Sequence, residues 1–208
     1  MIALAIMNEQ GLEADCVLSR WSSPHDGFSG ARRRSLLARA ILRKMLAQAT
    51  GTSSGDWMFV VDRSGAPRVR NVGGISGYSV SLAHSAGLVA CAMSDSGNIG
   101  IDIEVHRPTR NFIGIAAAAF GSEERRQVEM GGAAAFYRIW TLKEAIAKAC
   151  GIGFARVADR VDRVAQTANG FWSAEFEGAS WRLAHTNPAR DVSLAVALKT
   201  SACSGPSA

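Results

Sequence analysis

The chain has 208 residues, of which 48% are hydrophobic and 20% charged, with a formal net charge of +5. That balance excludes a chain that is mainly disordered, and the absence of any apolar run near the roughly 18 residues a membrane span needs points to a soluble protein. Cys16, Cys91, Cys150 and Cys203 are scattered, with no C-x-x-C pair and no histidine at zinc spacing, so they read as reduced thiols of a cytoplasmic protein.

Taken in chain order, Met1 to Met7 is apolar but has no basic flank and no small-residue cleavage pattern, so it reads as a first strand. From Ala31 to Ala49, Leu36, Leu37, Ala40, Ile41, Met45 and Leu46 recur at helical spacing among Arg32, Arg33, Arg34, Arg39, Arg43 and Lys44, which predicts a basic helix ending near Gly51. Trp57 to Val61, the turn Ser64-Gly65-Ala66-Pro67, and Val80 to Met93 read as strands separated by turns, with His84 placed in a turn before a strand. Ile99 to Val105 is a further strand. Pro108 opens a linker and a helix running through Ala116 to Ala119, followed by a short charged segment, Ser122 to Arg126, and a helix from about Ala133 to Cys150 stopped by Gly151-Ile152-Gly153. Residues 157 to 198 return to strand-like material, and Thr200 to Ala208 reads as a frayed tail.

An internal echo suggests a duplicated unit. Ser81-Leu82-Ala83-His84-Ser85 and its strand return as Arg182-Leu183-Ala184-His185-Thr186 and a strand, and Ala40-Ile41-Leu42-Arg43 returns as Ala145-Ile146-Ala147-Lys148. The expected fold is α+β: a pseudo-twofold of two similar α+β halves, 1–98 and 99–199, with a flexible tail 200–208 and the active site in the cleft between the halves.

In Ile99-Gly100-Ile101-Asp102-Ile103-Glu104-Val105, strand alternation sends the isoleucines to one face and Asp102 and Glu104 to the other, about 6.6 Å apart along the strand. Such a pair is either a solvated face or two arms of a site for a hard cation such as Mg²⁺. On the helix that follows, Ile139, Leu142, Ile146 and Ala149 form an apolar stripe, with Glu144 pointing away between Trp140 and Lys148. An exposed ion pair from Glu144 to Lys148 is one explanation. The large aromatic at Trp140 favours a face that packs or lines a cleft. Taken alone, His84 fits a structural role as well as a catalytic one, and Arg32 to Arg34 fit a solvated patch as well as a phosphate site.

Gly100-Ile101-Asp102-Ile103-Glu104, followed some forty residues later by Trp140-Thr141-Leu142-Lys143-Glu144-Ala145 and Lys148-Ala149-Cys150-Gly151-Ile152-Gly153, resembles the signature pair of the 4'-phosphopantetheinyl transferases. The likeness is to the Sfp-type branch, in which two similar halves share one chain, and it covers about residues 30 to 155. The resemblance implies Mg²⁺-dependent transfer of phosphopantetheine from coenzyme A to a serine of an apo acyl or peptidyl carrier protein, with release of 3',5'-ADP. Carried over by motif, Asp102, Glu104 and Glu144 would hold the metal. Arg34, His84, Ser85 and Lys148 would contact coenzyme A, with Glu144, Lys148 and His84 serving catalysis. Glu124 matches a further acidic position. Two departures stand out: Ala83 where the family commonly has serine, and Ala66 where many members have lysine before the turn proline.

The corresponding partners are coenzyme A and an apo carrier protein, with no nucleic acid and no membrane, for a chain acting as a monomer. The chemistry suits the residue types, because a hydroxyl attacking a pyrophosphate meets dense negative charge that cations must offset. One rival is a non-catalytic carrier-binding or coenzyme A-sensing descendant of the fold. Another is a nucleic-acid binder using the Arg32 to Lys44 helix, where no aromatic residues are interleaved.

Overall fold

The structure is a computed structural model that describes residues 1–8, 30–61, 67–158, 160–161 and 164–200. Cys16, Cys203, the turn residues Ser64, Gly65 and Ala66, and the tail from 201 to 208 lie outside the described residues. Ten strands and four α-helices are described: β1 (Ile2–Asn8), α1 (Gly30–Thr50), β2 (Trp57–Val61), β3 (Pro67–Asn71), β4 (Ser79–Ser85), β5 (Leu88–Ser94), β6 (Ile99–Val105), α2 (Phe112–Ala119), α3 (Ser122–Cys150), α4 (Ala155–Ala158), β7 (Ala165–Gln166), β8 (Trp172–Phe176), β9 (Ala179–Ala189) and β10 (Val192–Thr200). The architecture is α+β, as expected. No described helix is long and apolar enough to cross a membrane.

The strands form a three-stranded sheet, β1-β5-β4, a five-stranded sheet, β6-β10-β9-β8-β7, and the hairpin β2-β3. The order β1-β5-β4 repeats as β6-β10-β9: in each, the first strand of the set pairs antiparallel with the last, and the last with the one before it. The echoed histidines sit on corresponding strands, His84 on β4 and His185 on β9. His84 is therefore within a strand rather than in a turn, because the turn comes two residues later, where Ala86 and Gly87 take positive φ.

Each three-strand set carries its own helix. Leu37, Leu42 and Leu46 of α1, an apolar stripe at helical spacing, pack on Val89, Cys91 and Met93 of β5. Leu142 and Ile146 of α3 pack on Leu183, Ala195 and Ala197 of β9 and β10. Between the sheets, Ile99, Ile101 and Ile103 meet Ala83, Ala90 and Ala92. Cys91 and Cys150 are both free thiols.

A second expectation is corrected. The charged segment Ser122 to Arg126 is the first turn of α3, not a separate piece, and its N-terminus is closed by the Gly121 N–H donating to Glu124 Oε2 at 3.1 Å. The helix predicted from Ala133 is the part of α3 beyond a sharp kink at Gly132, whose φ of 60° and ψ of −146° are non-helical. A glycine tolerates that conformation without a Cβ penalty, so the two segments stay joined while changing direction.

The edges of the two sheets meet through side chains. The backbone N–H groups of Ile99, Ile101 and Val105 on β6 donate to the hydroxyls of Ser79, Ser81 and Ser85 on β4, each at 3.1 Å. The constant offset of 20 residues means that the strands run in the same direction. Alternate serines thus cap donors along the free edge of β6, which would otherwise be a buried liability. Ala83 occupies the one alternate position in this series that lacks a hydroxyl.

Candidate active site at the junction of the two halves

The site is built where α3 crosses β6. Gly100 makes the crossing possible: a Cβ there would lie 1.9 Å from the Ala145 carbonyl oxygen and 2.7 Å from the Ala149 nitrogen, so only a glycine lets the helix backbone come this close. With the helix seated there, Asp102 and Glu104 lie beneath it on the face opposite the isoleucines. The alternation expected for β6 is therefore correct, but the carboxylate face is covered by α3 rather than solvated.

Asp102 is 5% exposed. Its Oδ1 accepts from Lys148 Nζ at 2.7 Å, while Oδ2 is buried with no hydrogen-bond partner. Burial pushes its carboxyl up to about 7 against the pull of Lys148, and the nearby Glu144 and Glu104 charges push the same way. Lys148 thus pairs across to β6, not along its own helix to Glu144. Glu144 is half-buried and also raised: burial is the main cause, Lys148 and Arg110 act against it, and Glu104 adds to it. The mutual influence of Asp102, Glu104 and Glu144 places the three carboxylates in one electrostatic neighbourhood.

Glu104 is held at both oxygens. Ser85 Oγ donates to Oε2 at 3.0 Å, and Arg110 Nη1 stands 3.7 Å from Oε1. Arg110 is itself caged by aromatic faces, with its guanidinium 4.5 Å from the centroid of the Trp140 ring. Trp140 also packs on Phe154, with centroids 4.2 Å apart, so the aromatic on the Glu144 face is a packed residue, as its size suggested.

A cavity of about 360 Å³ opens beside this cluster and is lined by Arg68, Val80, Leu82, Lys148 and the Gly151-Ile152-Gly153 turn that ends α3. His84 is exposed on the same face of β4 as Val80 and Leu82. Of the residues expected at coenzyme A, Lys148 lines the cavity. Ser85 is buried against Glu104, and neither His84 nor Arg34, near the start of α1, is part of the lining.

Glu124 stands apart from the cluster. Its Oε2 pairs with Lys143 Nζ at 2.5 Å, and both side chains are almost wholly buried. Lys143 also donates to the Ala158 carbonyl at 2.5 Å, tying the two segments of α3 to α4. His185 lies in the same cross-strand row as Asp102, with Ala195 between them, hence about 10 Å away. Its Nε2 is buried without a partner, and burial, with Arg138 and His106 nearby, depresses it to about 4.

Reading the sequence alone misses Arg68, Arg110 and Lys143. Arg110 follows a proline-containing linker with no periodic signal. Arg68 reaches the cavity only through the packing of β3 beside β4. Lys143 looks like an ordinary exposed helix residue until the kink brings Glu124 onto it.

Whether the carboxylates suit a metal follows from their chemistry. All the donors are oxygens, which fits a hard cation, and the unpartnered Oδ2 of Asp102 gives one an anchor. Among the described residues, no three His, Cys, Asp or Glu side chains form a preformed cage, since Lys148, Ser85 and Arg110 occupy other oxygens of Asp102 and Glu104.

Comparison with known proteins falls on the same stretch. The family described as the 4'-phosphopantetheinyl transferase superfamily matches residues 98–197. The 4'-phosphopantetheinyl transferase HetI of Nostoc sp. (strain PCC 7120) is 34% identical over 136 residues, covering 64% of this chain and 57% of that protein. AcpT of Salmonella typhimurium is 37% identical over 124 residues, covering 57% and 59%. The transferase psf-1 of Bacillus pumilus is 30% identical over 125 residues, covering 58% and 51%. The chain thus spans between about half and three fifths of the length of these relatives. The segment 98–197, which contains both the carboxylate strand and the long helix that crosses it, is the part of the chain that matches the 4'-phosphopantetheinyl transferase superfamily.

Proposed function

We propose that this protein transfers 4'-phosphopantetheine from coenzyme A to a serine hydroxyl of an apo acyl or peptidyl carrier protein, releasing 3',5'-ADP, and that it does so as a cytoplasmic monomer of the Sfp-type branch. The observation that carries the reading is the buried carboxylate of Asp102, with one oxygen on Lys148 and the other unpartnered, beside Glu104, Glu144 and an open cavity. The repeated strand order supports the two-halves architecture.

In this reading Asp102, Glu104 and Glu144 hold Mg²⁺, which when bound offsets the charge of the pyrophosphate and polarises its phosphorus. The carrier serine attacks the phosphorus nearer the pantetheine, a new P–O bond forms, and the bond to the departing 3',5'-ADP breaks. Glu144 takes the serine proton. Lys148 and Arg68 line the cavity and are placed to offset charge on the phosphates. The residues thereby position and neutralise, which is the main demand of phosphoryl transfer.

Incubation with coenzyme A, Mg²⁺ and a panel of apo carriers, read by intact mass, tests the proposal. A phosphopantetheine increment on at least one carrier is expected. If the protein binds coenzyme A and carriers without modifying any, the non-catalytic descendant is the correct reading.

A further inference from the structure

We infer that Ser85 is a positioning residue for the Glu104 carboxylate and not a coenzyme A contact; this rests on the metal reading above. A hydroxyl has one proton to give and lone pairs to receive. At Ser85 both capacities are committed inside the protein: its oxygen receives the Val105 N–H at 3.1 Å, and its proton goes to Glu104 Oε2 at 3.0 Å. With that proton spent and the side chain buried, no donor is left to offer an anionic ligand in the cavity.

The other two serines of the seam give the contrast that isolates this role. Ser79 and Ser81 also cap backbone N–H groups of β6, at Ile99 and Ile101. Among the described residues, neither has a carboxylate as a hydrogen-bond partner. Ser85 is the serine of the series whose cap is also a handle on a metal arm, and it sets which oxygen of Glu104 faces the site. With Arg110 at Oε1, the carboxylate is bracketed from two sides. A carboxylate fixed in this way loses little rotamer freedom when it takes up a cation, and such supporting hydrogen bonds typically contribute about 10- to 100-fold in metal affinity.

The test uses Mn²⁺ as the probe, followed by its electron paramagnetic resonance on the full chain without coenzyme A or carrier, so that the readout does not depend on transfer. Ser85→Ala is expected to weaken Mn²⁺ binding about tenfold. Ser85→Thr, which keeps the hydroxyl, should restore most of the affinity. Ser81→Ala loses an equivalent backbone cap and should bind Mn²⁺ as the wild type does, which separates a metal effect from a loosened seam. In turnover, Ser85→Ala should raise the Mg²⁺ concentration needed for half-maximal rate and leave the KM for coenzyme A at saturating Mg²⁺ unchanged. Equal Mn²⁺ affinity in Ser85→Ala and wild type, or equal losses in Ser85→Ala and Ser81→Ala, would overturn the inference. A wild type that binds no Mn²⁺ would overturn the metal reading beneath it.

Discussion

Asp102 is buried, paired at one oxygen and unpartnered at the other. Removing the side chain deletes the anchor of the proposed cation site and leaves Lys148 without its acceptor. Asp102→Ala is expected to stay folded and to lose at least about 100-fold in kcat/KM, the scale seen when a preorganised electrostatic contact is removed. Steady-state kinetics in excess Mg²⁺, beside a circular dichroism spectrum, measure this, and full activity would remove Asp102 from the mechanism. The placement of Asp102 and Glu104 on one face was legible in the sequence, because strand alternation is a local rule. Their burial was not, because it depends on α3 approaching Gly100 closely enough to exclude a Cβ, a long-range contact that no local pattern encodes. The partner of Lys148 was hidden for the same reason: at helical spacing it points to Glu144, and only the crossing geometry brings Asp102 nearer.

At the scale of an element, α3 is two helical segments held as one working part. Gly132 bends it, and the buried pair of Glu124 and Lys143 ties the first segment to the second. The aromatic cluster of Phe120, Phe136 and Trp140 fills the angle between them. Breaking a buried pair by removing one partner typically costs about 3–5 kcal/mol, since the remaining charge is stranded. Lys143→Met is therefore expected to lower stability by about that amount in denaturant unfolding, and to lower activity mainly through the folded fraction. A variant with wild-type stability would show that the pair holds nothing. Helix content was readable from periodicity from Ala133 onward, but the preceding turn was not, because Gly131-Gly132 breaks the repeat just where the chain bends.

At the scale of the whole molecule, a repeated strand order brings two histidines to equivalent strands with different surroundings. His84 is exposed on β4, and His185 is half-buried on β9, in the row of Asp102 beyond Ala195. His84→Ala should raise the KM for coenzyme A severalfold, whereas His185→Gln should leave the kinetics unchanged. His185 also bears on stability in acid. His185 is depressed to about 4, so between its ordinary value of 6.5 and about 4 the unfolded chain takes up a proton that the folded chain refuses. By linkage, stability is present above pH 6.5 and falls as pH drops through that window. His185→Gln should therefore lose less stability than wild type between pH 7 and pH 4.5, measured by denaturant midpoints, and equal losses would contradict the assignment. The echo between the halves was visible as short repeated motifs, but the serine caps that join β4 to β6 were not, because each serine is unremarkable until its partner strand is known.

The central claim is that the carboxylates under α3 and the adjoining cavity form one site shared between the two halves. Diffraction from crystals grown with coenzyme A and Mn²⁺, with the ion located by its anomalous signal, tests it most directly. The account predicts one ion per chain coordinated by Asp102, Glu104 and Glu144, with the coenzyme A phosphates against Lys148. An ion bound elsewhere, or coenzyme A seated away from the cavity lined by Lys148 and Leu82, would contradict it.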